Sequence, residues 1–355
     1  MKICICGGGN LGHVVAGFAA SHGHDVQLLT RHPERWSNNL TIDTPDGKTL
    51  VGHISRISNR PEDVIPQSDL VLLCLPGFGI ADCLKQIAPL LGVGGLPPVG
   101  SVVSSTGFFF EAFRILPPST PLFGFQRVPF IARVGTYGHS AHLLGYKPQL
   151  SLAVEQTDDA ESLRQQIETL FQTPVQLLGS HYEVSLSNSN PLLHTSRLYS
   201  LFKDWHEGVS YARVPLFYEE WTEEAAELYI RMDNELQALL AQLPVRPGSI
   251  PTVLDYYEST DAPSLARKLR SIEAFKGIPA PMKSQSPHTS PSLGGDRGGL
   301  GNYIPDFQSR YFTEDFPYGL AIVRQQIQEH RMDAPNIEKV YQWGLPLTSQ
   351  QSLLT

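Results

Sequence analysis

Cysteine is scarce in this chain, with four among 355 residues, and so is basic charge, with 27 Lys and Arg against 35 Asp and Glu. The formal net charge of −8 excludes a general nucleic-acid binder, which needs a basic surface. Cys4 and Cys6 form a C-x-C pair, while Cys74 and Cys83 stand apart. Neither arrangement suits a zinc site or a disulfide framework, so all four read as small core hydrophobes and no metal is expected. No apolar run approaches the length that spans a membrane, and no basic-then-apolar leader opens the chain. A soluble, cytoplasmic protein without nucleic-acid or membrane partners is therefore expected. No repeat of solenoid period is visible. At 355 residues the chain exceeds one ordinary core, which predicts two domains.

What is present begins at once. A short apolar strand, Lys2 to Cys6, runs into Gly7-Gly8-Gly9-Asn10-Leu11-Gly12 and then the helix-like run His13 to His22. In this spacing Gly7 permits the tight turn, Gly9 lets the backbone approach a pyrophosphate, and Gly12 lets the helix pack close to the strand. Asn10 and Leu11 open the helix, whose N-terminal N–H groups and dipole favour phosphate. The strand before and helix after the motif are the context that a dinucleotide site requires.

A second strand, Asp25 to Thr30, is entered through Gly23 and left through His32-Pro33. Leu70 to Leu75 ends in Pro76-Gly77 and feeds the amphipathic run Ile80 to Leu91. Gly100 to Ser104 ends in Ser105-Thr106-Gly107, again small residues where a parallel sheet presents its C-terminal edge to ligands. Further strands are expected at Leu122 to Phe125, Leu150 to Val154 and Val175 to Leu178. This predicts an α/β Rossmann domain, a doubly wound parallel sheet over residues 1–179, with Pro76, Ser105 and Thr106 at its ligand edge. From His181 the pattern turns helical, most clearly in Tyr218 to Leu243, and also in Ser264 to Phe275 and Phe316 to His330, giving an all-α domain over 180–355. The Gly-, Pro- and Ser-rich stretch Ser284 to Gly301 reads as a long loop, either a surface excursion or a cover.

In NAD-selective sites an acidic residue about twenty positions past the motif receives the ribose 2′-hydroxyl. Here that position reads Thr30-Arg31-His32. Arg31, with Arg35 close by, can pair with a 2′-phosphate and stack on adenine, which favours NADP, while Glu34 leaves NAD open.

A nicotinamide enzyme that reduces a carbonyl or imine needs a proton donor and a group to hold a substrate anion. Among twelve histidines, His22 and His24 flank a turn, and the His139 and His142 pair would need a third ligand to bind metal. His194, in Asn190-Pro191-Leu192-Leu193-His194, stands where the chain leaves the sheet domain. Near the C-terminus runs Arg310-Tyr311-Phe312-Thr313-Glu314-Asp315-Phe316-Pro317. Capping explains Thr313, Glu314 and Asp315, but it leaves Arg310 and the aromatic residues without a purpose.

Taken together, the opening Lys2-to-Asn10 segment, Pro129 to Arg133, Pro215-Leu216-Phe217-Tyr218 and above all Pro305 to Asp315 resemble the octopine/nopaline-type opine dehydrogenases over nearly the whole chain. The resemblance implies a Rossmann domain plus a helical domain, with substrates in the cleft between them. It implies reductive joining of an amino acid's amino group to the keto carbon of a 2-oxo acid, typically pyruvate, with NADH or NADPH as reductant. His194 matches the family's catalytic histidine, Asp315 its carboxylate partner, and Arg310 the residue that holds the oxo-acid carboxylate. On this reading one nitrogen of His194 bonds to Asp315 and the other faces substrate. Ser105 stands where some relatives carry a glutamine that touches the oxo acid, and Thr195 where relatives often show proline. Glu219 and Glu220 would either receive a cationic amino acid or serve as helix-opening charges. Two other readings stay open: a ketopantoate-type 2-oxo acid reductase using a lysine such as Lys203 or Lys283, and a non-catalytic NADP sensor. A monomer or a homodimer fits equally.

Overall fold

The computed structural model describes residues 1–92, 95–285 and 302–349, and the chain falls into two units. The first comprises Met1–Asn188 with Pro244–Arg246, the second Ser189–Leu243 with the chain from Pro247 on.

The first unit is built on an eleven-stranded sheet. Its strands are β1 (Lys2–Cys6), β2 (Asp25–Leu29), β3 (Asn39–Asp43), β4 (Thr49–Ser58), β5 (Leu70–Leu73), β6 (Val99–Ser101), β7 (Leu122–Phe125), β8 (Phe130–Val134), β9 (Ser140–Tyr146), β10 (Leu150–Glu155) and β11 (Val175–Leu177). They lie in the order β11-β10-β7-β6-β5-β1-β2-β4-β3-β9-β8. From β7 to β4 every pairing is parallel. Counted within that core, the order is the dinucleotide-binding one, with chain direction reversing at β1. The double winding is written in β1 itself. Ile3 and Ile5 pack into one core with helices α1 (Asn10–Ser21) and α4 (Ala160–Phe171), whereas Cys4 and Cys6 pack into another with α2 (Gly77–Ile87) and α3 (Phe108–Ile115). A strand buried on both faces reads as an unbroken apolar run, which is why it is plain in the sequence.

Four strands, β3, β4, β8 and β9, are absent from the sequence expectation. In β4, Gly52, His53, Ser55 and Arg56 interrupt any apolar alternation. Gly52 is there for close packing: a Cβ on it would lie 2.4 Å from the Gly17 carbonyl oxygen of α1. The turn before it carried an unread signal, Pro45-Asp46-Gly47, with Gly47 at φ +79 and Thr44 N–H donating to Lys48 O at 2.9 Å. All four cysteines are free and buried.

The division between the two units lies at Asn188/Ser189, a short way past the Gly179 boundary expected from the sequence. Helix α5 (His181–Ser185) belongs to the sheet unit because its fully buried Glu183 is held there. Glu183 accepts from Gly179 N–H at 3.2 Å and pairs with Arg246 at 2.6 Å, and these contacts keep its carboxyl below the usual range despite burial.

The second unit is helical: α6 (Asn190–Phe202), α7 (Glu223–Leu240), α8 (Val253–Tyr256), α9 (Ala262–Ser271), α10 (Arg310–Thr313), α11 (Ala321–Glu329) and α12 (Pro335–Ser349). It is not purely α, since β12 (Met282–Ser284) and β13 (Tyr303–Pro305) pair antiparallel. Residue Ser284, expected in the long loop, ends β12; most of that loop lies outside the described residues. Helix α7 begins five residues after Tyr218, where the Thr222 hydroxyl caps Ala225 N–H at 3.2 Å. No described helix is long and apolar enough to cross a membrane.

Candidate functional site

The first unit holds the glycine-rich turn at the C-terminal end of β1, the candidate phosphate site. Its three motif glycines answer to three different constraints. Gly7 sits at φ +116, and a Cβ there would meet Cys74 O at 2.7 Å. On Gly12 a Cβ would stand 1.9 Å from Gly7 O, so only glycine lets α1 start this close to the turn. Around Gly9 the Cβ position is open, with nothing within 4 Å. Gly9 is also the N-cap of α1 and offers no side chain to its N–H groups, which leaves an open, donor-rich surface of the kind a pyrophosphate fits. Leu11 and Asn10 begin the helix beyond it.

A hairpin turn outside the parallel core braces this loop. The Asn10 side chain accepts from Val134 N–H at 2.8 Å through Oδ1. His13 is fully buried, and its Nε2 accepts from Gly138 N–H at 2.8 Å, so the proton resides on Nδ1, which donates to Gly9 O at 2.8 Å. Burial holds His13 below its ordinary pKa, in keeping with a neutral ring. Trp36 packs at 4.1 Å from the His13 ring and Tyr137 at 5.1 Å, while the Arg35 guanidinium lies 4.5 Å over Tyr137. A Cβ on Gly8 would meet Thr30 Oγ1, the Trp36 indole and the Tyr137 hydroxyl. Trp36 Nε1 is buried with no hydrogen-bond partner, an orphaned donor beside the glycine loop. Arg31 and Arg35 are exposed just past β2, and Thr30 is buried. These residues fit a dinucleotide: backbone donors for pyrophosphate, aromatic surface and two cations for the adenosine side.

At the same sheet edge, Pro76 is the N-cap of α2. Ser105 is half-exposed in the turn after β6. The Thr106 hydroxyl, expected to touch substrate, donates to Val103 O at 3.0 Å and stiffens that turn.

The second unit brings together His194 and Asp315, which lie 121 residues apart in the chain. His194 sits on α6, only 8% exposed, and its Nδ1 is 2.8 Å from Asp315 Oδ2. A carboxylate can only accept, so Nδ1 carries a proton and the tautomer is fixed. Asp315 is placed by the π-helical turn Phe316–Leu320 that follows it. Gly319 lets that turn close on α6, since a Cβ there would lie 2.6 Å from the Pro191 side chain.

The other ring nitrogen is not open, contrary to the expectation that it faces substrate. His194 Nε2 is 2.9 Å from the Tyr218 hydroxyl. The Tyr311 ring stands edge-on to His194 at 4.7 Å and stacks on Phe217 at 4.7 Å. Burial raises the pKa of both phenols, so both keep their protons. Buried Arg197, one turn along α6, donates to Phe217 O at 2.9 Å and Glu220 O at 2.7 Å, tying the segment that carries Tyr218 to the helix that carries His194. Desolvation lowers the Arg197 pKa to about 10. The sequence expectation missed Tyr218, Tyr311 and Arg197 as parts of the site. The aromatic run Phe217-Tyr218 beside Trp221 was the available signal.

Arg310 is also not free. Its guanidinium forms a two-pronged pair with Glu314, Nε to Oε1 at 2.7 Å and Nη2 to Oε2 at 2.8 Å, on a side chain that is 84% exposed. Glu314 thus occupies the fork that a substrate carboxylate would use. Glu219 accepts from Gly277 N–H at 2.7 Å and Glu220 pairs with Arg213 at 2.6 Å, so both carboxylates have structural partners. Among the described residues no cluster of three or more His, Cys, Asp or Glu side chains could hold a metal, and His142 pairs with Asp43 at 3.3 Å.

Comparison with known proteins adds family context. Residues 177–348 match the family described as NAD/NADP octopine/nopaline dehydrogenase, alpha-helical domain, and residues 3–95 match Ketopantoate reductase PanE/ApbA. The chain is 26% identical to the opine dehydrogenase of Haliotis discus hannai, over 97% of this chain and 89% of that protein. It is 26% identical to the tauropine dehydrogenase of Arabella iricolor, over 99% and 92%. An octopine dehydrogenase structure with NADH and L-arginine superposes with a TM-score of 0.79 at 24% identity, covering 98% of this chain and 89% of that one, and shares the fold. A dinucleotide-type turn in one unit and a His–Asp pair in the other thus stand in a chain whose helical unit matches the NAD/NADP octopine/nopaline dehydrogenase alpha-helical domain and which is similar over nearly its whole length to an opine and a tauropine dehydrogenase.

Proposed function

We propose that this protein is an opine dehydrogenase, joining the amino group of an amino acid to the keto carbon of a 2-oxo acid, with pyruvate as the oxo acid and NADPH preferred over NADH. The observation that carries this reading is the His194–Asp315 hydrogen bond at 2.8 Å, between side chains only 10% and 18% exposed.

Gly7, Gly9 and Gly12 with the α1 N-terminus would hold the pyrophosphate, and Arg31 and Arg35 the 2′-phosphate of NADP. The bound nucleotide supplies a hydride. The chain's own residues do the rest. Asp315 fixes the His194 tautomer and stabilises its imidazolium. His194 supplies the proton with which the carbinolamine hydroxyl leaves as water, and in the reverse direction takes the proton of the secondary amine. Arg310, released from Glu314, pairs with the oxo-acid carboxylate in a planar, two-pronged geometry that lysine would not reproduce. Ser105 lies where a short polar contact to the oxo acid is available, with Thr106 ordering its turn. The protein would work in the cytoplasm as a monomer or homodimer on two small-molecule substrates.

The test follows NADPH and NADH absorbance with pyruvate alone and with pools of amino acids. Oxidation that requires both an oxo acid and an amine supports the proposal, and oxidation with the oxo acid alone moves the assignment to a 2-oxo acid reductase. His194→Ala and Asp315→Asn should each retain NADPH binding while cutting turnover about 10²- to 10⁴-fold; normal turnover removes their roles.

A further inference from the structure

The hairpin of β8 and β9 lies outside the parallel core, yet its turn is fastened both to the glycine loop and to the segment that follows β2. Gly138 N–H donates to His13 Nε2 at 2.8 Å, and Gly138 O accepts from Ser37 N–H at 2.9 Å. Gly138 sits at φ +76, and a Cβ on it would lie 2.1 Å from Arg35 O, so only glycine lets the turn come this close. A turn that merely reversed the chain would need none of these ties. What they deliver is Tyr137. Its hydroxyl reaches the glycine loop, 3.2 Å from where a Cβ on Gly8 would stand, and its ring lies under Arg35, with the guanidinium carbon 4.5 Å from the ring centroid. The ring is half-buried and is fixed by edge-on contacts to His13 at 5.1 Å and to Trp36 at 5.6 Å. Arg60, Arg164, Arg213 and Arg324 spend their N–H groups on carboxylates. Among the described residues Arg35 has the Tyr137 ring and no carboxylate, and the neighbouring Glu34 lies beside His32 Nδ1 at 3.3 Å. A ring contact uses the flat face of a guanidinium and leaves the N–H groups on its edge unspent. Arg35 is therefore held in place without being neutralised, on the exposed surface past β2 where a dinucleotide's ribose is read.

We infer that Tyr137 sets the preference for a 2′-phosphorylated adenosine, by holding the Arg35 guanidinium so that its N–H edge meets the 2′-phosphate. This inference rests on the NADPH preference proposed above. An arginine left free in solvent gives up its rotamer freedom when it closes on a phosphate. One already stacked on a fixed ring has given up part of it beforehand, and the difference appears as affinity for the phosphate. A ribose that lacks the phosphate makes no use of the contact, so affinity for NADH does not depend on it. Tyr137 is thus a positioning residue that acts through Arg35, and the β8–β9 hairpin is a working part of the nucleotide site.

The experiment is calorimetric titration of the full chain, with no oxo acid or amine present, using NADPH and NADH, which differ only in the 2′-phosphate. The proteins are the wild type, Tyr137→Phe, Tyr137→Leu, Tyr137→Gln, Arg35→Leu and the Arg35→Leu/Tyr137→Leu double variant, with melting points taken first to show that each is folded. Tyr137→Leu and Tyr137→Gln should each weaken NADPH about three- to fivefold, the worth of an exposed cation–π contact, and weaken NADH less than about twofold. Tyr137→Phe keeps the aromatic face and should hold the NADPH-to-NADH ratio within about twofold of the wild type. The double variant should discriminate as Arg35→Leu does, because both changes remove one contact. Equal losses for the two nucleotides in Tyr137→Leu and Tyr137→Gln would mean that Tyr137 only props the hairpin. Losses that multiply in the double variant would mean that it acts apart from Arg35. Either result overturns the inference. A wild type that prefers NADPH, with a ratio unmoved in the Leu and Gln variants, refutes the inference and leaves the NADPH preference standing, whereas a wild type that binds NADH as tightly as NADPH refutes both. None of these readings depends on turnover, so they stand apart from the identity of the substrates.

Discussion

Gly9 and Gly12 stand three residues apart in the same motif, and alanine at the two positions should do opposite things. At Gly12 the new Cβ would lie 1.9 Å from Gly7 O, where ordinary contact begins near 3.4 Å. The obstacle is backbone on both sides, so α1 must back away from β1 or the turn must open. Overpacking of this kind costs about 1–3 kcal/mol and here should reach the upper end. In a domain of this size about 3 kcal/mol corresponds to a melting point lower by roughly 6–12 °C. At Gly9 nothing lies within 4 Å of the new Cβ, and the backbone at φ −87 is one that alanine adopts readily. Gly9→Ala should therefore leave stability unchanged or raise it by about 0.4–1 kcal/mol through the unfolded chain. Its methyl group nevertheless fills the space that the pyrophosphate needs, and NADPH affinity should fall at least tenfold, about 1.4 kcal/mol. Thermal denaturation without nucleotide gives the first quantity and calorimetric titration with NADPH the second. If Gly9→Ala bound NADPH as the wild type does, the pyrophosphate would not lie against Gly9, and the placement of the nucleotide would be refuted.

Other consequences follow from the same geometry. Arg310→Leu should raise the pyruvate KM about tenfold or more, and Glu314→Gln should lower it a few-fold, because an exposed pair is worth only about 0.2–1 kcal/mol and yields easily to a substrate carboxylate; steady-state kinetics decides, and an unchanged KM in Arg310→Leu removes that role. Arg31→Asp should move preference from NADPH toward NADH, read as the ratio of the two kcat/KM values, and an unmoved ratio would refute the 2′-phosphate contact. His13 is held below the ordinary 6.5 by burial, so the unfolded chain takes up its proton first as the medium is acidified. The stability tied to the neutral ring is complete above about pH 6.5 and is lost as pH falls through the depressed native value. Melting points between about pH 8 and pH 5 should fall less steeply in His13→Gln than in the wild type, and equal slopes would deny His13 this part.

What the sequence revealed depended on whether the physical constraint was local. The β1 strand, the glycine turn and α1 were legible because each demand acts within a dozen residues: burial on both faces of β1, positive φ at Gly7, close approach at Gly12. Strands β3 and β4 were not, since Gly52 answers to Gly17 on a helix far back in the chain and looks like a strand breaker when read alone. The π-helical turn after Asp315 was read as the opening of an ordinary helix, because the closeness of Gly319 to Pro191 is a tertiary fact. His194 and Asp315 could be paired only through family resemblance, as no spacing rule joins residues 121 positions apart. The Arg310–Glu314 pair, by contrast, follows from i,i+4 spacing and was open to inspection from the start. Tyr218 at Nε2 was hidden because its position is set by the grip of buried Arg197 on the carbonyls of Phe217 and Glu220.

The most direct test of the account is the identity of the product. The enzyme is supplied with isotopically labelled pyruvate, the amino acid that supports NADPH oxidation, and NADPH deuterated at the transferred position, and the product is analysed by mass spectrometry. The account predicts a secondary amine that contains both carbon skeletons, less one water, with one deuterium on the former keto carbon. Labelled lactate in place of that amine would contradict it, for the protein would then reduce oxo acids without joining them to an amine.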